Sequence, residues 1–155
     1  MDRIPMTRIG YEKLKKELEN LKSIERPAVI RAIEEARSHG DLSENAEYDA
    51  AKERQAFIEG RLSELGYKLG NAEIIDVDNQ PKDRAVFACT VVLENVDTGA
   101  EVEYQLVGPE ESDIEKGRIS VTSPLGKAII GKKPGEEIVL NAPAGKRVYE
   151  LVEIL

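Results

Sequence analysis

Tryptophan is absent from this 155-residue sequence, phenylalanine occurs twice and cysteine once. With aromatics at only 5%, a deep ligand pocket is not the first expectation, because such pockets are lined mainly by apolar and aromatic side chains. Cys89 has no second cysteine with which to form an internal disulfide, and no apolar leader follows Met1-Asp2-Arg3-Ile4-Pro5. Both features point to a reducing cytoplasm. No apolar run is long enough to span a bilayer, so no membrane association is expected. Positive charge is short as well: 22 Lys and Arg stand against 30 Asp and Glu, for a net charge of -8. A free-standing nucleic-acid-binding domain usually has the opposite balance, since phosphate contacts supply most of its affinity. Any encounter with nucleic acid is therefore local or arranged by a protein partner.

The hydrophobic fraction of 41% is enough to build one ordinary core or two small ones. The charged fraction of 34% suits long exposed helices better than a compact enzyme.

The apolar rhythm changes once along the chain. Tyr11, Leu14, Leu18, Leu21, Val29, Ile33 and Ala36 recur in steps of three and four, a helical stripe for which Thr7 is a plausible N-cap. Pro27 lies inside this run and predicts a bend near Arg26. A second stripe follows at Ala46, Ala50, Phe57, Ile58, Leu62, Leu65, Leu69 and Ala72. Between them, Gly40 can take the left-handed conformation that ends a helix, and Asp41 or Ser43 can cap the next. An antiparallel helical hairpin satisfies both stripes, with arms of roughly 30 residues and about 45 Å at a helical rise of about 1.5 Å. Gly60, Gly66 and Gly70 weaken the second arm, each by up to about 1 kcal/mol relative to alanine.

After Asn79-Gln80-Pro81-Lys82-Asp83 the period becomes that of strands. Val86 to Glu94, Glu101 to Val107, Ile119 to Thr122, Glu137 to Leu140 and Val148 to Ile154 read as strands, and Pro124 to Ile130 as a short helix. The expected fold is α+β: a hairpin over residues 1–76, a linker over 77–83, and a small domain with a mostly antiparallel sheet over 84–155. From residue 76 onward nine basic residues face fifteen acidic ones, so most of the negative charge lies in the second half.

The turn of the hairpin, Ala36 to Glu53, reads ARSHGDLSENAEYDAAKE. By spacing alone, Asp41 and Glu44 form a capping box at a helix start. The run nevertheless resembles the coiled-coil tip of the Gre family of bacterial transcript-cleavage factors. The likeness extends over essentially the whole chain, through MTRIGYEKLKKEL (Met6 to Leu18), EGRL (Glu59 to Leu62) and ISVTSPLGKAIIGK (Ile119 to Lys132).

This resemblance implies a factor with no nuclease activity of its own, whose partner is bacterial RNA polymerase. The tip would enter the polymerase through its secondary channel. Asp41 and Glu44 would help hold a second Mg²⁺ there, shared with the polymerase, and would orient the attacking water. Two carboxylates are too few for a complete Mg²⁺ site, which takes about six oxygens. Arg37 and Lys52 match the family's basic patch, which would meet the 3′ end of backtracked RNA; as isolated residues they read equally as solvated helix charges. The patch is small, as in GreA-type members, which implies cleavage of short backtracked fragments. Tyr48 would support the loop or touch RNA, with packing as the alternative. Gly40, Ser43 and Asn45 shape the turn, the last two through side-chain bonds to the backbone. His39 is read as a surface or capping group.

The second half would be FKBP-like. Its Ser123-Pro124 segment would grip rim helices at the channel mouth, while also being an ordinary helix start. A monomer is the expected state. Three rival readings stand beside this one: a prolyl isomerase, for which Phe87, Tyr104 and Tyr149 are few aromatics, an inhibitory relative that blocks the channel, and a coiled-coil adaptor without chemistry.

Overall fold

A computed structural model describes residues 3–40 and 45–155. The chain divides into two compact units. A helical unit takes residues 1–4 and 11–72, and a sheet unit takes residues 5–10 and 73–155.

A short strand, β1 (Ile4–Thr7), pairs with β2 (Ala72–Ile75) in a two-stranded sheet. Thr7 ends β1 and caps α1 (Arg8–Asn20), its hydroxyl accepting a hydrogen bond from Gly10 N at 3.1 Å. The first arm then passes through a π-helical turn, Leu21–Glu25, into α2 (Arg26–Ser38). The discontinuity expected of Pro27 thus takes the form of a widened turn, in which Arg26 N donates to the Leu21 carbonyl five residues back. Pro27 sits in the first turn of α2, where no intrahelical donor is required of it. The same turn accounts for the stripe. Leu14 to Leu21 is a heptad step, whereas Leu21 to Val29 is one residue longer, and a π turn absorbs that residue without rotating the apolar face away.

The second arm is a single helix, α3 (Ala46–Gly70), packed against α2. Leu14, Leu21, Val29, Ile33 and Ala36 are buried on the first arm, and Ala51, Ile58, Leu62 and Leu65 on the second. The stripe on α3 runs through Ala51 rather than Ala50, because seven residues before Ile58 lies Ala51. Phe57, expected in the stripe, is 59% exposed and lies under the Arg54 guanidinium at 5.1 Å, a cation–π contact. Gly60, Gly66 and Gly70 face open space. Opposite charges pair across the arms: Arg26 with Glu59 through two 2.8 Å bonds, Arg61 with Glu17 at 2.6 and 2.9 Å, and Arg54 with Glu25 at 3.5 Å. Its hydrogen bond to Glu59 pushes the Arg26 pKa further up.

The sheet unit holds five strands in the order β5-β4-β3-β7-β6. These are β3 (Thr90–Asn95), β4 (Glu101–Val107), β5 (Arg118–Ser120), β6 (Glu137–Ala142) and β7 (Gly145–Ile154), with the short helix α4 (Pro124–Ile129) after β5. All pairs are antiparallel except β4 with β5. Val91, Leu93, Leu106, Ile129, Ile138 and Leu151 form the fully buried heart of the core.

The expected strand from Val86 starts only at Thr90. Cys89 N bonds back to the Val86 carbonyl, and Ala88 takes φ +74°, so a turn occupies the apolar residues in between. β-branched composition cannot distinguish that turn from a strand. On β7 the register shifts by one residue opposite Val92 and Leu93. Beyond this bulge Glu101, Glu94, Glu150 and Glu137 stand directly opposite one another in a row across β4, β3, β7 and β6.

Candidate functional site at the hairpin turn

The described ends of the two arms close on each other. Ala36, the last buried residue of α2, leaves its carbonyl free to accept from both His39 N at 3.2 Å and Asn45 Nδ2 at 2.7 Å. Gly40 N donates to the Arg37 carbonyl at 3.2 Å, and Gly40 has φ +103°, a conformation that an L side chain rarely adopts. On the other arm Asn45 is the N-cap of α3, its Oδ1 accepting from Tyr48 N at 3.1 Å. One asparagine therefore caps the second helix and ties it to the end of the first.

This corrects the expectation that Asp41 or Ser43 would cap α3: an Asn45 side chain already fills that position, and the helix begins at Ala46. Asp41, Ser43 and Glu44 themselves lie outside the described residues. In sequence they belong to the four-residue segment joining Gly40 to Asn45.

Arg37 and Lys52 are exposed, and neither makes an ion pair with another described residue; Lys52 Nζ donates to Gln55 Oε1 at 3.1 Å. Tyr48 is half-buried, and its backbone completes the Asn45 cap. His39 Nδ1 lies 3.3 Å from Glu47 Oε2, and Glu47 and Asp49 put negative charge into the first turn of α3, where the helix dipole favours it. Among the described residues no cluster of three or more His, Cys, Asp or Glu could hold a metal ion. No helix among them is long and apolar enough to cross a membrane.

The second candidate segment lies in the sheet unit. Ser123 caps α4 by accepting from Gly126 N at 3.0 Å while its hydroxyl donates to the Ser120 carbonyl at 2.6 Å, and Pro124 starts the helix. Gly126 is buried so closely against Ser120 that a Cβ would overlap the Ser120 carbonyl. Pro124 thereby becomes part of the wall of an open apolar groove of about 490 Å³, with Ile114, Ile119, Leu125 and Leu140. Sequence reading missed this groove. Its signal in the sequence is Ile114, an isolated apolar residue within the acidic run from Glu110 to Glu115, and the structure leaves it 65% exposed.

Comparison with known proteins covers the whole of this architecture. Residues 4–74 match the family described as "Transcription elongation factor, N-terminal", and residues 80–155 match "Transcription elongation factor, GreA/GreB, C-term". Transcription elongation factor GreA of Syntrophobacter fumaroxidans is 56% identical over 154 residues, covering 99% of each chain. GreA of Hyphomonas neptunium is 54% identical over 155 residues, covering 100% of this chain and 99% of the relative. Among solved structures, the transcription factor Gfh1 is 28% identical over 99% of each chain, with a TM-score of 0.48.

Proposed function

The chain belongs to the GreA/GreB family of transcription elongation factors, and on that premise we propose that it binds bacterial RNA polymerase, passes its hairpin turn through the secondary channel and stimulates the polymerase's own cleavage of backtracked RNA. The observation that carries this reading is the closure of the arms at Ala36, Gly40 and Asn45 around a four-residue connection containing two carboxylates. The described helix ends that flank this connection are capped and are tied to each other through Asn45.

On this reading Asp41 and Glu44 act inside the polymerase. Carboxylates are the right donors for Mg²⁺, but two are too few to complete its shell, so the polymerase would have to supply further oxygens. When bound, the ion supplies an activated water and charge stabilisation for hydrolysis of the phosphodiester bond. Asp41 and Glu44 would help hold the ion and would orient the attacking water. Arg37 and Lys52, in no ion pair with another described residue, attract the RNA backbone without reading sequence. The sheet unit, FKBP-like on this reading, supplies the affinity: Ser123, Pro124 and the apolar groove beside them receive a rim helix of the polymerase by its apolar side chains.

The test is a stalled elongation complex carrying backtracked RNA. Asp41→Ala and Glu44→Ala each abolish stimulated cleavage and leave polymerase binding unchanged, wild type lowers the Mg²⁺ concentration needed for cleavage, and no RNA is cut without polymerase. Normal cleavage with both variants would remove the turn from the mechanism.

A further inference from the structure

The helix α1 carries no acidic residue in its own first turn, which begins with Arg8. Negative charge at its start comes instead from Glu111, which bonds the capping residue Thr7 from 104 positions away in sequence, at the end of a short 3-10 turn, Pro109–Glu111. Thr7 N donates to Glu111 Oε2 at 3.2 Å, the Thr7 hydroxyl donates to Glu111 Oε1, and the same hydroxyl accepts from Gly10 N at 3.1 Å. Thr7 is 4% exposed and is the one buried polar residue among those described. Space at this point is fully used, since a Cβ on Gly10 would fall inside the Glu111 carboxylate. The clasp lies wholly within the sheet unit, which takes residues 5–10, while the rest of α1 belongs to the helical unit.

We propose that the Thr7–Glu111 clasp is a positioning element for transcript cleavage, fixing the root of α1 within the sheet unit. The proposal rests on the function inferred above. A helix start that is capped locally can be lost at its first turn with no effect elsewhere. Here the capping residue, Thr7, is itself held by a remote carboxylate and so is tied to that carboxylate's loop, and α1 is continuous from the clasp into the hairpin. The bonds are charge-assisted, among the stronger hydrogen bonds available to a half-buried pair. Gly10 is required because any larger residue would eject the carboxylate.

Backtracked complexes are titrated with wild type, Thr7→Val, Glu111→Ala, Gly10→Ala and Thr7→Ser, and the maximal cleavage rate is separated from the half-saturating concentration. Because a misplacement of about 1 Å can cost on the order of a hundredfold, Thr7→Val and Glu111→Ala lower the maximal rate by about tenfold or more while half-saturation moves by less than about threefold. Thr7→Ser, which keeps the hydroxyl, restores the wild-type rate. Gly10→Ala improves helix propensity and so cannot act by weakening α1 itself; it reproduces the loss by displacing Glu111. Circular dichroism at the assay temperature identifies any variant that fails to fold, and Gly10→Ala then decides the matter. Retention of the wild-type maximal rate by the folded Thr7→Val or Gly10→Ala variant overturns the positioning role alone. Failure of wild type to stimulate cleavage overturns the functional reading, and the positioning role with it.

Discussion

The two units arrange charge in opposite ways. Across the hairpin, ion pairs join the arms, Glu17 to Arg61, Glu25 to Arg54 and Arg26 to Glu59. Across the sheet, Glu101, Glu94, Glu150 and Glu137 line up like against like on four adjacent strands, and Glu103 and Glu153 flank Val92 in the neighbouring row. Directly opposed like charges destabilise a sheet. In the hairpin, by contrast, exposed unlike pairs select register more than they add stability, because they pair the correct levels of two otherwise similar helices. Charge specifies geometry in the first unit, and in the second it opposes a geometry that packing imposes.

If packing decides both folds, deleting it outweighs any change of charge. Ile58 in the hairpin and Leu93 in the sheet are both fully buried. Ile58→Ala and Leu93→Ala each lose about 2–5 kcal/mol in denaturant unfolding, whatever the salt concentration. A loss below about 1 kcal/mol at Ile58 would break the comparison, by showing that ion pairs rather than the apolar stripe hold the arms together.

A charge reversal sharpens it. Glu94 sits between Glu101 and Glu150, so Glu94→Lys turns two repulsive neighbours into attractive ones. Sheet stability rises by roughly 0.2–1 kcal/mol, and the gain shrinks as salt is added. The matching reversal in the hairpin, Glu59→Lys opposite Arg26, lowers the melting temperature. Thermal melts at two ionic strengths distinguish these outcomes, and equal signs for the two reversals would contradict the reading.

Much of this was legible in the sequence because periodicity reports which face is buried. Leu14, Leu21, Val29, Ile33 and Ala36 predict the first arm, and Glu101 to Val107 predicts β4 residue for residue. The π turn was foreshadowed by Pro27, but its form depends on the eight-residue step to Val29, which only makes sense against a partner helix. Phe57 misled because an apolar ring can be satisfied by a neighbouring guanidinium as well as by a core. The Val86–Cys89 turn was hidden because Ala88 adopts a left-handed conformation with none of the usual turn residues. At the hairpin turn, Gly40 and Asn45 were legible as local backbone chemistry, whereas the apolar groove at Pro124 and the Thr7–Glu111 clasp join residues that sequence leaves far apart.

The smallest effect concerns pH and again divides the units. Glu64 in the hairpin is held below the usual carboxylate range by its hydrogen bonds to Lys68 and then Arg61. The folded helix therefore binds this proton less readily than the unfolded chain does. Its contribution is present above the ordinary carboxylate pKa and is lost as pH falls through the lower folded value. In the sheet unit, burial pushes the Cys89 thiol up. There the sign reverses: the contribution is complete below the ordinary thiol pKa and is lost as pH rises toward the folded value. Acid thus erodes the hairpin through Glu64, and alkali erodes the sheet through Cys89. Glu64→Gln removes the acid-side component from the helical melt, and Cys89→Ala removes the alkaline component from the sheet melt. An alkaline loss of sheet stability that persists unchanged in Cys89→Ala would assign that loss to another group that loses its proton in the alkaline range, and would remove Cys89 from the account.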